Sequence, residues 1–92
     1  MWINLLNQEE EILINYDRVE LLEIDYGIMP NSYEIKVSTA TRTFTMASYD
    51  SKEDAKKVLE ILTRLIEKED IDGTVFKFPR PDEVELYYKN HF

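Results

Sequence analysis

The sequence contains no cysteine, and its 92 residues include only two glycines, three prolines and one histidine. Without cysteine there is no disulfide framework, no thiol nucleophile and no thiolate metal site. The scarcity of glycine and proline excludes a flexible linker or a low-complexity segment. A zinc site would have to consist mainly of carboxylates, which is uncommon. We therefore expect neither a metal nor a cofactor.

Basic residues are also few: the chain has 11 Lys and Arg but 19 Asp and Glu, which gives a formal net charge of -8. A surface this acidic repels phosphate groups, which excludes nucleic acid and anionic membranes as preferred partners. Most of the acidity belongs to the first half, where residues 1–50 carry nine acids and three bases. A carboxylate surface that mimics nucleic acid is a minor alternative.

Long apolar runs are absent, and no window approaches the roughly 18 residues that a membrane helix requires. The opening residues 1–7 lead into Glu9-Glu10-Glu11 and lack the basic start and small-residue cleavage site of a secretory signal. We expect a cytoplasmic protein. Hydrophobic residues make up 43% of the chain, enough for one core. The predicted organisation is a single domain over 1–92, with a sheet-forming part (1–50), a helix (51–70) and an aromatic-rich tail (71–92).

Alternating apolar and polar residues predict most of the chain outside the helix to be strands. The slip in alternation at Leu21-Leu22 predicts either a β-bulge or a strand covered on both faces. Residues 33–38 and 43–46 alternate cleanly and predict an antiparallel hairpin, whereas residues 12–14 are interpreted as a buried strand. The turn-forming residues at 27–32 separate the third and fourth strands. The predicted strands are 2–6, 12–14, 19–26, 33–38, 43–46 and 74–78.

The helix is predicted to follow Ser51, whose hydroxyl is suited to cap its first turn. Apolar residues recur at helical spacing from Ala55 to Ile66 and form one stripe. Ile61 lies off this stripe, where it widens the buried face or contacts another subunit. We expect the helix to cover about 51–69 and to fray near Lys68.

The tail after Gly73 is ambiguous beyond its first strand. Residues 82–88 alternate as a strand does, although Pro81 followed by two acids is also a good helix start. Aromatic and β-branched residues favour the strand. The predicted fold is α+β, an antiparallel sheet of five to seven strands with one long amphipathic helix packed on one face.

Residue patterns typical of catalysis are missing. No serine lies in a Gly-x-Ser-x-Gly context, and the one histidine, His91, lies next to the last residue, where we expect a surface position. Residues 70–73 resemble part of a calcium loop, but the first and twelfth ligand positions would then be Lys68 and Pro79. We interpret that stretch as a helix end and a turn. The sequence therefore predicts that the protein is not an enzyme.

Residues 74–92 contain five of the eleven aromatic residues. Large side chains either fill a small core here, or they bind another protein, since interfaces favour aromatic residues. Exposed sheet edges invite pairing, so an edge-paired or strand-exchanged homodimer is one hypothesis. The candidate interface residues are Phe76, Phe78, Leu86, Tyr87 and Tyr88.

The stretch 43–56, from strand to Ser cap to an Ala-Lys pair that begins the buried stripe, resembles a family of small uncharacterised proteins. These proteins occur in Gram-positive bacteria and their prophages, and the opening residues 2–5 contribute to the resemblance. The resemblance implies an α+β domain of bacterial or phage origin. It implies no catalytic or binding residues.

The leading functional hypothesis is a non-enzymatic protein–protein interaction domain, binding a second copy of itself or another protein. The alternative is a small-molecule binding or hydrolytic domain. In that alternative, carboxylates and tyrosines would converge on a pocket between helix and sheet.

Overall fold

The computed structural model describes residues 3–26, 31–67 and 74–91. These residues contain six strands and two α-helices. The strands are β1 (Ile3–Leu6), β2 (Leu13–Asn15), β3 (Leu21–Tyr26), β4 (Tyr33–Ser38), β5 (Thr43–Tyr49) and β6 (Thr74–Lys77), and the helices are α1 (Lys52–Glu67) and α2 (Val84–His91). The α+β class is confirmed. Trp2, most of the turn predicted at 27–32 and the turn predicted at 70–73 lie outside the described residues.

The single antiparallel sheet predicted from the sequence is wrong, because the described strands form two sheets of three. We call them the N-terminal sheet (order β2-β1-β6) and the central sheet (order β3-β4-β5). β1 pairs antiparallel with β2 but parallel with β6. A parallel pair needs a long crossover connection, and here the connection contains the whole central sheet and α1. Alternation of apolar and polar residues shows which face of a strand is buried. It does not show which strands lie beside it or whether they run parallel or antiparallel, so the sequence pattern could not predict this arrangement.

The central sheet contains the predicted hairpin, with β4 and β5 antiparallel and joined through residues 39–42. Of the two alternatives predicted at Leu21-Leu22, the β-bulge is wrong, because β3 pairs with β4 in unbroken register and Leu21 is 50% exposed. A register shift occurs instead between β4 and β5, where Ile35 pairs with Ala47 and the next pair skips Met46. This irregularity places two consecutive β5 residues in the core, as a bulge does.

Gln8, in the turn after β1, joins the two sheets. Its backbone N–H donates a 2.8 Å hydrogen bond to the Met46 carbonyl on β5. Its side-chain Oε1 accepts from the Ser48 N–H at 3.3 Å, and its Nε2 donates to the Ser48 carbonyl at 3.3 Å. One glutamine therefore takes the place of a neighbouring strand along the end of β5.

The helix α1 packs its apolar stripe against β4 and β5 of the central sheet and lies beside α2. Ser51 caps it, since its Oγ accepts hydrogen bonds from the N–H groups of Glu53 (3.1 Å) and Asp54 (3.4 Å). Ile61 is 1% exposed and widens the buried face, as one of the two readings of its position predicted. The described part of α1 ends at Glu67, and the predicted end of the helix, with Lys68, lies outside the described residues.

The strand favoured for residues 82–88 is also wrong, because the chain forms a 3-10 turn at Pro81–Glu83 and then α2. The Arg80 N–H donates to the Glu83 side chain at 3.0 Å, and the Glu83 N–H donates to the Arg80 carbonyl at 2.9 Å. Proline at the first position suits a helix start, because it has no N–H to leave unpaired. Local capping therefore outweighs the strand propensity of the aromatic residues.

The core is continuous from the N-terminal sheet to α2. It contains fifteen buried residues from both sheets, both helices and Phe78, in the loop after β6. In the described ranges, no helix is long and apolar enough to cross a membrane.

Candidate functional site

The five candidate interface residues of the tail do not share one surface. Phe76 is 1% exposed and Phe78 is fully buried, and their rings meet edge to face at 5.1 Å. Leu86 is 66% exposed, whereas Tyr87 and Tyr88 are partly buried. Phe76 and Phe78 therefore belong to the core of this chain, and Leu86 is the only one of the five that is mainly exposed.

The tyrosines of α2 attach this helix to the rest of the molecule. Tyr87 packs its ring on Phe76 at 6.0 Å, and burial raises the pKa of its phenol. The Tyr88 hydroxyl donates to Glu60 Oε2 on α1 at 3.3 Å, and the Lys57 ammonium lies 5.5 Å from the Tyr88 ring centroid. Both aromatic side chains thus point toward the chain itself, which leaves Leu86 as the only exposed large apolar residue described on α2.

A larger uncovered apolar surface lies on the N-terminal sheet, on the side away from the core. In β1 the buried residues alternate with Asn4 and Leu6. The strand register places Asn4 between Asn15 and Val75, and it places Leu6 between Leu13 and Lys77. We call these six residues the outer face, namely Asn4, Leu6, Leu13, Asn15, Val75 and Lys77.

The outer face combines exposed apolar side chains with a lack of carboxylates. Leu13 is 57% exposed and Val75 is 52% exposed, two of the four exposed large apolar residues described. Residues 12–14 were predicted to be a buried strand, but only Ile14 is buried. The sequence pattern that could have indicated the outer face is the alternation of residues 2–6, because it places Asn4 and Leu6 on the opposite face from Ile3 and Leu5.

One ion pair lies at the rim of the outer face. The Lys77 ammonium donates a hydrogen bond to Glu10 Oε1, in the turn between β1 and β2. This hydrogen bond holds the pKa of the Glu10 carboxyl below its usual range. Lys77 is the only charged residue of the outer face, and its charge is balanced there.

A cleft of about 730 Å³ borders the outer face at β2. It is lined by Leu13 and Asn15, by residues 39–41 of the hairpin turn and by Phe44, and also by the charged residues Asp17, Arg18 and Glu20. A second cleft of about 420 Å³ lies between the turn at residues 7–12 and β5, and it also reaches Phe44. The Arg42 guanidinium lies 4.4 Å above the Phe44 ring. Both clefts open to solvent, so they extend the surface rather than enclose a ligand.

The region between α1 and the central sheet is lined mainly by apolar side chains, with the buried Tyr49 hydroxyl bonded to the Pro79 carbonyl. The α1 residues Ala55, Val58 and Leu62 are fully buried there, as are Ile35 and Val37 of β4. Asn7 is the only buried polar or charged residue described, and its Oδ1 accepts from the N–H groups of Glu11 (2.8 Å) and Ile12 (3.1 Å). No carboxylate in the described part of the chain is buried between helix and sheet.

Metal ligands do not converge among the residues described, since no three His, Asp or Glu side chains there are placed to hold an ion. The side chain of His91 lies outside what the structure describes. Comparisons of this chain with protein families, with curated proteins and with solved structures found no match. The function must therefore be argued from the surfaces themselves.

Proposed function

We propose that this chain is a protein-binding domain without enzymatic activity, and that the outer face is its binding surface. The observation that carries the proposal is a sheet face with two exposed apolar side chains and no carboxylate of its own, on a chain of net charge -8. Charged residues are depleted at the centres of protein interfaces, whereas the rest of this molecule's surface is rich in them.

The outer face is also suited to binding because its backbone is fixed. β1 is hydrogen-bonded on both sides, so little conformational entropy is lost when a partner docks on it. Complete burial of a Leu or Val side chain contributes about 1.5–3 kcal/mol. Leu13 and Val75 start about half exposed, so each contributes about half of that value on binding. The face alone supports modest affinity, and the adjoining cleft offers a partner side chain further contact.

Selection of peptides from a random phage-displayed library against the purified chain tests this proposal. We expect the enriched peptides to bind the wild type and to lose most of their binding to Leu13→Glu and Val75→Glu. The matched control is Leu21→Glu, which places the same charge at an equally exposed leucine on the central sheet. Peptides that bind all variants equally, or a library that yields no binder, would contradict the proposal. Thermal unfolding of each variant checks that the fold is intact.

The origin and location of the protein remain predictions. The resemblance of residues 43–56 supports a bacterial or phage source, and the composition supports a cytoplasmic location. The alternative, a small-molecule binding or hydrolytic domain, required carboxylates and tyrosines around a pocket between helix and sheet. Apolar residues line that interface, so the geometry supports protein binding better.

A further inference from the structure

We infer that the partner of the outer face is a second copy of this chain, and that two N-terminal sheets stack face to face about a two-fold axis. This inference rests on the proposed function and specifies its partner. It differs from the tail-mediated dimer that the sequence suggested, because the tail aromatics that the structure describes, Phe76, Phe78, Tyr87 and Tyr88, pack within their own chain.

Charge determines where two copies can meet. Each copy carries a net charge of -8, so most pairs of surfaces bring like charges together. The exposed side of the central sheet places Glu23, Asp25 and Glu34 around one lysine, Lys36. The Lys36 ammonium already lies 3.3 Å from Asp25 and 3.9 Å from Glu34. Two such acidic surfaces would repel each other, so this side of the central sheet is better suited to binding a basic partner.

The outer face avoids this repulsion, because its one charged residue is neutralised by Glu10. In a two-fold complex the same patch contributes to both sides of the interface, so it must be complementary to itself. Apolar residues such as Leu13 and Val75 meet this condition, and a patch of carboxylates does not.

The two amides of the outer face are self-complementary as well. Asn4 and Asn15 lie directly opposite each other in the β1–β2 register. Asn15 Oδ1 accepts the Asp17 N–H at 2.9 Å, so its Nδ2 group is the part of the amide that can donate to a partner. An Asn side chain carries both a donor and an acceptor. Asn15 Nδ2 of one copy can therefore donate to Asn4 Oδ1 of the other, twice in a symmetric pair.

The size of the outer face sets the expected affinity. Strands of about four residues at about 3.3 Å each, in three rows about 4.8 Å apart, give a patch of about 13 by 14 Å. A standard interface buries about 800 Å² on each partner, several times the area of this patch. We therefore expect a weak, reversible dimer that forms only at high protein concentration.

Sedimentation equilibrium of the full chain from about 0.05 to 2 mM tests the inference. The measurements are made at about 0.15 M and 1 M NaCl, because salt screens the repulsion between two acidic copies. We expect reversible dimerisation that strengthens at least about threefold in high salt. Leu13→Glu and Val75→Glu should weaken it by about tenfold or more, because each introduces two carboxylates into a symmetric interface. Leu21→Glu and Leu86→Glu should leave it within about twofold of the wild type.

Three results would overturn the inference. The first is a wild type that stays monomeric at about 2 mM in high salt. The second is a dimer that Leu86→Glu disrupts and Leu13→Glu does not, which would assign the contact to α2. The third is a dimer that both outer-face variants leave intact, as pairing through the edge of β6 would give. If the chain is monomeric while selected peptides still require Leu13 and Val75, the protein-binding function stands and only the second copy is excluded.

Discussion

The Tyr49 hydroxyl donates a 2.6 Å hydrogen bond to the carbonyl oxygen of Pro79. Tyr49 ends β5 in the central sheet, and Pro79 follows β6 in the N-terminal sheet, so this bond fixes the ends of the two sheets to each other. Gln8 Nε2 donates to the same carbonyl at 3.1 Å. Tyr49 is 1% exposed, and this burial raises the pKa of its phenol. The hydroxyl therefore stays protonated in the folded chain and remains a hydrogen-bond donor.

Replacing Tyr49 by Phe should lower the free energy of unfolding by about 1 kcal/mol. The ring still fills its place in the core, but the Pro79 carbonyl loses one of its two hydrogen-bond donors. The expected loss of stability is therefore the usual net contribution of one hydrogen bond. Urea unfolding followed by circular dichroism measures the change. Tyr88→Phe is the matched control, because its hydroxyl donates to the exposed Glu60, and we expect a change below about 0.5 kcal/mol. Equal losses in both variants would contradict the role given to the Tyr49 bond.

Gln8→Glu should destabilise the chain by about 1–3 kcal/mol at neutral pH. The substitution keeps the shape of the side chain but removes the donor to the carbonyls of Ser48 and Pro79, and it places a negative charge beside both. Protonation of the new carboxyl restores a donor, so the gap to the wild type should narrow at about pH 3–4. Urea unfolding of the two proteins at both pH values tests this. A gap that does not change with pH would argue against repulsion at the carbonyls.

Phe76→Ala and Leu86→Ala separate core from surface within the tail. Phe76 is buried against Phe78 and Tyr87, so its truncation should cost about 3–5 kcal/mol. Leu86 is 66% exposed, and its truncation should change the free energy of unfolding by less than about 0.5 kcal/mol. Thermal and urea unfolding of the two variants give the comparison. Similar costs for both would mean that Leu86 is covered in solution, for example by another copy.

The attachment of α2 to α1 should weaken in acid. Lys57 Nζ donates a 2.7 Å hydrogen bond to Glu85 Oε1, which lowers the pKa of the Glu85 carboxyl from its ordinary value near 4.5. A carboxyl with a lowered pKa in the folded state contributes stability above its unfolded pKa. That contribution is lost as the pH falls through the folded pKa. A carbon-13 NMR titration should therefore show Glu85 titrating below 4.5 in the wild type.

The control for this titration is Lys57→Met, which keeps a long side chain without its charge. In that variant the pKa of Glu85 should rise toward its ordinary value. The same hydrogen bond raises the pKa of the Lys57 ammonium. The contribution of Lys57 to folding stability is therefore fully present below the pKa of Lys in the unfolded chain, and it is lost as the pH rises through the pKa of Lys57 in the folded chain. An unchanged Glu85 titration in Lys57→Met would show that the ion pair does not form in solution.

Short-range sequence patterns predicted the elements that depend on them. Residues 33–38 alternate cleanly and form β4 with the predicted bounds. Ser51 and the apolar stripe after it predicted the start of α1, because capping and amphipathicity are set within a few turns. The tail was predicted wrongly, since the aromatic residues from Phe76 to Tyr88 favour a strand by composition, whereas capping after Pro81 forms a helix.

The candidate surface could be recognised only in part. Alternation in the first strand indicated that Leu6 and Asn4 face away from Ile3 and Leu5. It did not indicate that β6 would lie beside β1 and add Val75 to the same face, because these strands are separated by about seventy residues of chain. The tail residues proposed for an interface were chosen by residue type, whereas Phe76 and Phe78 are buried in the core, where Phe76 packs against Tyr87 of α2.

The sequence by itself determined the α+β class, the amphipathic helix, the hairpin of the central sheet and the acidic character of the surface. Each follows from local periodicity or from composition, which do not depend on distant partners. The tertiary structure alone decided the division into two sheets, the parallel pairing of β1 with β6 and the neutral outer face. These depend on contacts such as Gln8 with Ser48 and Tyr49 with Pro79, which join residues 30 or more positions apart. No local pattern encodes which distant backbone group a side chain will meet.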